Sequence, residues 1–508
     1  MTKKTLTSLF DNHLFSGLVA VAVLGILLTS NDILSIWNGA EAEGLLLVQE
    51  GGQLPGLYHW LLSLVYINAG LNPFLLRLLS VLGLLAAFGG FWQWGRKLFG
   101  ENTVLTTLII MGSSILLTCS AKQATGDSWL FACQLLNFLF LLRLLKSPAL
   151  PWTIAFWATA LLGALIQPLS MLIWSAGSWF YLYFLHPKGK ALPYSWGWLP
   201  FTGLIALLVF TGQLDWKAST FLFGYGASNS FGKYLLYQLF GSLPWLPFLP
   251  VAFRDLWVKR RKGEELSLFT SGWLLMGLLS QSLILQAAFA FIMAKQVLNC
   301  FDQRYPYFTM AKLFLTFFMV LSFFGVMLLL LGSHNLFEAS GFRAAVLVGG
   351  GYWALYFVSS LGMLMKNERL LIGGLAFCGL VLGAFFWAKY GPLIEQRRDL
   401  PQRIVAAGEK LVAQPSQVTL IVQKNLLPQR SNFQLMAQES LTGLRTGLSK
   451  DSLSLMIQQQ DDILLLTDSL TYEMVKTNVP ALRSQELKGS YKVLDDPKSY
   501  WIVGPAGD

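Results

Sequence analysis

The sequence predicts an α-helical polytopic membrane protein, with about 12 to 13 transmembrane helices, followed by a small soluble α/β domain. Of 508 residues, 54% are hydrophobic and only 13% charged, against roughly 25% charged in a typical soluble protein. Apolar runs long enough to cross a bilayer, roughly 20 residues each, recur along the first three quarters of the chain. From about residue 393 the composition turns polar and the periodicity changes.

The first apolar run, "LFSGLVAVAVLGILLTS" (14–30), follows Lys3 and Lys4. It reads as an uncleaved helix with a cytoplasmic N-terminus, because "LTSNDILS" lacks a small-x-small cleavage pattern. Further spans are expected near 74–95, 103–119, 128–145, 150–167, 170–186, 197–213, 233–257, 267–292, 308–331, 344–364 and 369–389. Between the first two lies a long non-cytoplasmic loop, 31–73, whose "LPGLYHWLLSLVYINAG" is apolar and aromatic but short. It reads as a helix lying at the membrane interface. Basic clusters at 95–97, 143–146, 186–190 and 259–262 mark cytoplasmic turns. The formal charge of +10 follows from the positive-inside rule, so it implies no nucleic acid.

Residues 1–392 thus form the expected membrane domain, and 393–508 a soluble domain of roughly 110 residues, enough for its own core. In the latter, "VTLIVQK" (418–424), "LSLMIQ" (453–458), "DILLLT" (462–467) and "YWIVG" (500–504) read as strands. "NFQLMAQESLTGLRTGL" reads as helix. Twelve spans would return this domain to the cytoplasm, yet Lys366 and Arg369 mark the turn before the last span as cytoplasmic. One reversal is therefore unaccounted for between 262 and 366.

Carboxylates near hydrocarbon are costly, so those on the non-cytoplasmic side are candidate site residues. They are Asp32, Glu41, Glu43, Glu50, Asp127, Asp215 and Asp302, with Lys295 and Arg304 expected on the same side. The four cysteines (Cys119, Cys133, Cys300, Cys378) and four histidines are scattered, without metal-like spacing. No metal site is expected.

The stretch from Ala40 to Gly100, "AEAEGLLLVQEGGQLPGLYHW…RLLSVLGLL…GRKLFG", resembles the first loop and second helix of the C-type superfamily (GT-C) of membrane glycosyltransferases. Within that superfamily it is similar to the aminoarabinose lipid A transferases and protein O-mannosyltransferases. "KQATGDSWLFACQLLNFLFLLRLL" (122–145), "YLLYQLFGSLPWLPFLPVAF" (234–253) and "DQRYPYFTMAKLF" (302–314) resemble later family segments in the right order. Each motif is weak alone; order and spacing carry the resemblance. The family's Asp-Glu pair stands here as Ala40-Glu41, and its Thr-Lys-Gly-Pro segment as "LIQPLS" (165–170), without the lysine.

The resemblance implies a GT-C-like fold and transfer of a sugar from a polyprenyl-phosphate donor to an acceptor hydroxyl of a lipid, glycan or protein. It places the chain in the bacterial inner membrane, with the active site and the C-terminal domain facing the periplasm. Glu41 is the candidate general base, with Glu43 and Asp127 as further catalytic candidates. Lys295 and Arg304 would stabilise the departing phosphate, and Tyr305, Tyr58, His59 and Trp60 would flank lipid, sugar or acceptor. No organic cofactor is implied, and a divalent cation is left open.

Each residue also has a plainer reading. Glu43 and Glu50 suit a solvated helix face, Asp127 a helix cap, and Lys295 and Arg304 headgroup anchors. His59 suits an interfacial aromatic, and "GGG" (349–351) close helix packing. Competing functions are a transporter or lipid flippase, disfavoured because the acids gather in outer loops without a repeat, and a catalytically silent partner subunit, which Ala40 favours.

Overall fold

The computed structural model describes residues 56–70, 72–192, 197–212, 231–302 and 305–390, together with a few isolated positions and five short strands. The chain divides into two compact units, residues 1–32 with 51–390, and residues 33–50 with 391–508.

Among the described residues of the first unit, five helices are long and apolar enough to cross a membrane: α2 (Pro73–Phe99), α5 (Asp127–Lys146), α13 (Phe308–Asn335), α14 (Ala339–Leu364) and α15 (Glu368–Tyr390). A sixth is the pair α3 (Glu101–Gly112) and α4 (Ile115–Ala121), bent by 67°. The expected interfacial segment forms α1 (Leu57–Ala69). Shorter helices pack with them: α6 (Leu150–Ile166), α7 (Pro168–Leu185), α8 (Trp198–Phe210), α9 (Phe231–Gly241), α10 (Phe248–Arg261), α11 (Glu265–Leu279) and α12 (Ile284–Asn299). Pro73, Pro151 and Pro168 sit in first helical turns, where the missing N–H costs nothing.

The unaccounted reversal lies inside 267–292, read above as one span. Helices α10 and α12 run the same way, with Phe253 on Phe289 (6.0 Å) and Gln296 Nε2 donating to Asp255 Oδ2 (2.9 Å). The chain between them must therefore turn back, and α11 is that return leg, ending in a turn at Ser280–Leu283. Helix α11 runs antiparallel to α7. Ser170 Oγ donates to the Ser280 carbonyl (2.9 Å), and a Cβ on Gly272 would stand 2.6 Å from the Tyr181 ring. At the far end His186 Nε2 meets Glu265 Oε1 at 3.2 Å. Periodicity missed the turn because it carries neither Pro nor Gly. It is built instead on Gln281, in the left-handed region at φ 48°, and on Ser280 and Ser282, 2.9 Å apart. Tyr234 donates to the Gly277 and Ser282 carbonyls (3.0 and 3.2 Å), and Ser282 Oγ donates to Gln134 Oε1 (2.8 Å). The hairpin tip is thus held by hydrogen bonds buried in the bundle, where an unmade one costs most.

The expected span 233–257 is one pass in two pieces, α9 and α10, separated by a turn at Ser242–Pro247. There Trp245 Nε1 donates to Ser113 Oγ at the α3–α4 break (2.8 Å). Helices α13 and α14 pack antiparallel, with Phe323 against Trp353 (5.5 Å). Gly349 of the "GGG" run lies where a Cβ would come within 2.9 Å of Val326, so close helix packing is what that run does. Gly379 of α15 is tighter, since a Cβ there would meet the Ser113 carbonyl oxygen at 2.0 Å. Gly379→Ala should therefore destabilise the bundle by at least about 1–3 kcal/mol, the usual cost of overpacking. Thermal unfolding in detergent, compared with Gly350→Ala, where nothing lies within 4 Å, checks this.

The directions sort the bundle into two ends. The turns near 96–97, 143–146, 186–190 and 259–262 share one end, joined by Lys366, whose Nζ stands 5.9 Å from the Phe308 ring centroid. The helix starts and ends around Asp127 and Gln167 share the other, where α15 also finishes.

The second unit carries a five-stranded sheet in the order β2-β1-β3-β5-β4. Strands β1 (Thr419–Val422), β3 (Ile463–Asp468) and β5 (Tyr500–Ala506) fall on expected runs. β1 is parallel to β2 and β3, while β5 is antiparallel to β3 and β4. β4 (Leu482–Leu487) was not anticipated, and β2 (Gly443–Thr446) corrects the helical reading of "NFQLMAQESLTGLRTGL" at its end. Pairing with β1, register Thr419 to Gly443, outweighs the local propensity there. The expected strand at 453–458 lies outside the described residues.

Candidate active site

Asp127 begins α5, and the turn before it decides its surroundings. The N-cap of α5 is Gly126, with no side-chain cap bond, so the Asp127 carboxylate does not cap its helix. Its Oδ2 accepts from Thr125 Oγ1 (3.0 Å) and its Oδ1 from Gln167 Nε2 (3.1 Å). The residue is 4% exposed. Two polar donors hold this buried carboxylate, where an unpaired charge would be costly. Gln167 lies in the "LIQPLS" segment, between α6 and α7.

The hydrogen bonds continue across three elements. Ser80 Oγ on α2 donates to the Thr125 carbonyl (3.0 Å), and the Tyr58 hydroxyl on α1 lies 3.1 Å from Ser80 Oγ. A serine has one O–H, so with that proton committed Tyr58 donates to Ser80. Gly126 permits the approach, because a Cβ there would stand 2.8 Å from Ile166 and 3.3 Å from the Tyr58 ring. Trp129 Nε1 donates to the Leu79 carbonyl (2.8 Å) and fixes α5 against α2.

Two cations are buried at this same end. Arg77, one turn before Ser80 on α2, is 1% exposed, and Lys122, at the start of the loop leading to Asp127, is 2% exposed. Lys122 Nζ stands 5.6 Å from the Trp387 ring centroid, near the end of α15. Sequence reasoning passed over both, although Arg77 in an apolar helix and Lys122 beside an apolar run were the signals.

The other predicted residues divide. Tyr58 is buried, with His59 edge-on to it at 6.1 Å, while Trp60 is exposed. Glu41, in the second unit, is helical and 2% exposed, on the same buried helix stripe as Gly44, Leu45 and Val48. Glu43, Glu50 and Arg304 lie outside the described residues.

Lys295 is not brought to Asp127. It lines a recess with Lys259 and Glu264, at the end where Glu265 meets His186. Helix α7, with 18 residues between Gln167 and His186, separates the two ends by about 27 Å at 1.5 Å per residue. The expectation that Lys295 shares a side with Asp127 followed from counting α11 and α12 as one span. Tyr305 lies with Lys295, its hydroxyl donating to Gln296 Oε1; burial pushes its phenol pKa up. Among the described residues, no group of three His, Cys, Asp or Glu side chains could hold a metal ion.

A polytopic helical bundle followed by a small α/β unit is a fold already seen in solved structures. Two solved structures of ArnT from Cupriavidus metallidurans share it. The apo form matches at TM-score 0.65 over 97% of this chain and 98% of that chain, at 14% identity. The form bound to undecaprenyl phosphate matches at 0.63 over 96% and 98%, also at 14% identity. At that identity the likeness is one of fold. No protein-family model matches the sequence, and no curated protein does.

Proposed function

We propose that this chain is an inverting glycosyltransferase that takes a sugar from a polyprenyl-phosphate carrier on the periplasmic face of a bacterial inner membrane. The observation that carries the reading is the Tyr58–Ser80–Thr125–Asp127–Gln167 hydrogen-bond chain, beside buried Arg77 and Lys122, in a bundle shared with an ArnT bound to undecaprenyl phosphate. Buried cations at a membrane-protein end suit a lipid-borne phosphate.

In this reading the acceptor hydroxyl oxygen attacks the anomeric carbon as its bond to the phosphate oxygen breaks. Polyprenyl phosphate leaves with the electron pair, which Arg77 and Lys122 stabilise by charge-assisted contacts. The family resemblance, rather than any placement of the two units, assigns the hydroxyl proton to Glu41, the carboxylate that falls on the motif. Asp127 fixes the loop that presents Lys122, and Tyr58 and Trp60 flank lipid or acceptor. Release of labelled sugar from polyprenyl-phosphate donors by the purified protein tests the reading. Ala40 keeps a second one in view, a silent partner subunit, for which no donor would turn over.

The reading also requires the tail to share a side with the first loop. Helix α15 ends at the Asp127 end, away from the basic turns, so the tail should be periplasmic by the positive-inside rule. Cysteines placed at Ser35 and Ser452 should both react with an impermeant reagent applied from outside. A tail labelled only after permeabilisation would reverse that orientation.

A further inference from the structure

The recess around Lys295 lies outside the proposed active site and has its own chemistry. It measures about 290 Å³ counting its open mouth, and is lined by Asp255, Lys259, Glu264, Ser267, Lys295 and Gln296 among others. Its two carboxylates and two ammoniums balance in number but differ in how they are engaged. Asp255 Oδ2 already takes Lys259 Nζ at 2.7 Å and Gln296 Nε2 at 2.9 Å, and Glu265 is met by His186. Glu264 is exposed, so solvent screens it. Lys295 is half-buried against the Phe291 ring, 5.0 Å from its centroid. Among the described residues no carboxylate comes within 4.0 Å of its ammonium.

The surroundings say what anion would reach it. Arg261 lies over Trp257 (4.9 Å), Arg254 over Tyr307 (5.5 Å) and Lys366 over Phe308 (5.9 Å), and Trp257 is 57% exposed. Aromatic and basic side chains at one level mark the headgroup layer of a membrane. Basic recesses between helices at the cytoplasmic face are where anionic headgroups bind.

We propose that the Lys295 recess binds the phosphodiester headgroup of an anionic phospholipid in the leaflet opposite the active site. Lys295 contacts the phosphate and Lys259 lies at the same recess. The proposal does not rest on the transferase reading, since the two sites lie at opposite ends of α7.

Native mass spectrometry of the detergent-purified full-length protein tests it, with phosphatidylglycerol and phosphatidylcholine added in turn. Wild type should retain phosphatidylglycerol preferentially. Lys295→Gln should lose about fivefold of that retention, the weight of one lysine at a charged lipid surface. Lys295→Arg should restore it, and Lys188→Ala, a basic-end change outside the recess, should leave it unchanged. Millimolar inorganic phosphate should not displace the lipid. Equal retention by Lys295→Gln, or by the two lipids, would overturn the proposal. Displacement by phosphate would equally overturn it, in favour of a free-anion site. Should Lys295→Gln unfold, the wild-type lipid preference and the phosphate competition still decide.

Discussion

Glu41→Gln is expected to lower turnover at least about 10²-fold, the low end of a general-base contribution, while donor affinity stays as in wild type. Glutamine keeps the size and hydrogen-bonding shape of glutamate but accepts no proton at neutral pH. With Ala40 in place of the family aspartate, no second carboxylate of that pair can substitute. Glu41 lies on the buried stripe with Gly44, Leu45 and Val48, and residues two apart on a helix face different ways. Glu43→Gln should therefore change turnover little, and Ala40→Asp should raise it. Single-turnover kinetics with a bound donor separates this loss from one of binding. Wild-type turnover in Glu41→Gln, together with a collapse in Asp127→Asn, would move the base to the loop before α5.

Arg77→Met and Lys122→Met should each weaken polyprenyl-phosphate binding by about 10- to 100-fold, from roughly 1.5–3 kcal/mol for a hydrogen bond to a charged group. Methionine keeps much of the side-chain length and packs in an apolar bundle. Arg77→Lys should recover only part of the loss, because an ammonium does not reproduce the planar fork of guanidinium. Lys295→Ala should leave this affinity unchanged, since Lys295 lies at the far end of α7. Equilibrium binding of a radiolabelled polyprenyl phosphate gives all four values. A loss with Lys295→Ala, and none with Arg77→Met, would return the phosphate to the basic end.

What the sequence made legible depended on how local the signal was. Long apolar runs such as those of α2, α5, α13 and α15 announce themselves by hydropathy, and so did strands β1, β3 and β5. The turn between α11 and α12 did not, because two serines and a glutamine hold it through partners on α5, α7 and α9 distant in sequence. That one omission carried Lys295 to the wrong end of the bundle, and with it the expected phosphate site. The reading of Asp127 as a cap was a local one that Gly126 and the distant Gln167 displace. Arg77 and Lys122 stood inside quoted segments, yet only the packing of α2 and the Thr125 loop brings them to one end. The positive-inside argument fared better: Lys366 and Arg369 implied a missing reversal, and α11 supplies it.

The most direct measurement is sugar transfer by the purified full-length protein, presented with a panel of radiolabelled polyprenyl-phosphate sugars and membrane lipid, glycan and protein acceptors. The proposed function predicts that at least one donor is consumed, with polyprenyl phosphate and an inverted glycoside as products, and that Glu41→Gln lowers the turnover at least about 10²-fold without preventing donor binding. Donors bound but never consumed, by wild type and by Ala40→Asp alike, would contradict it.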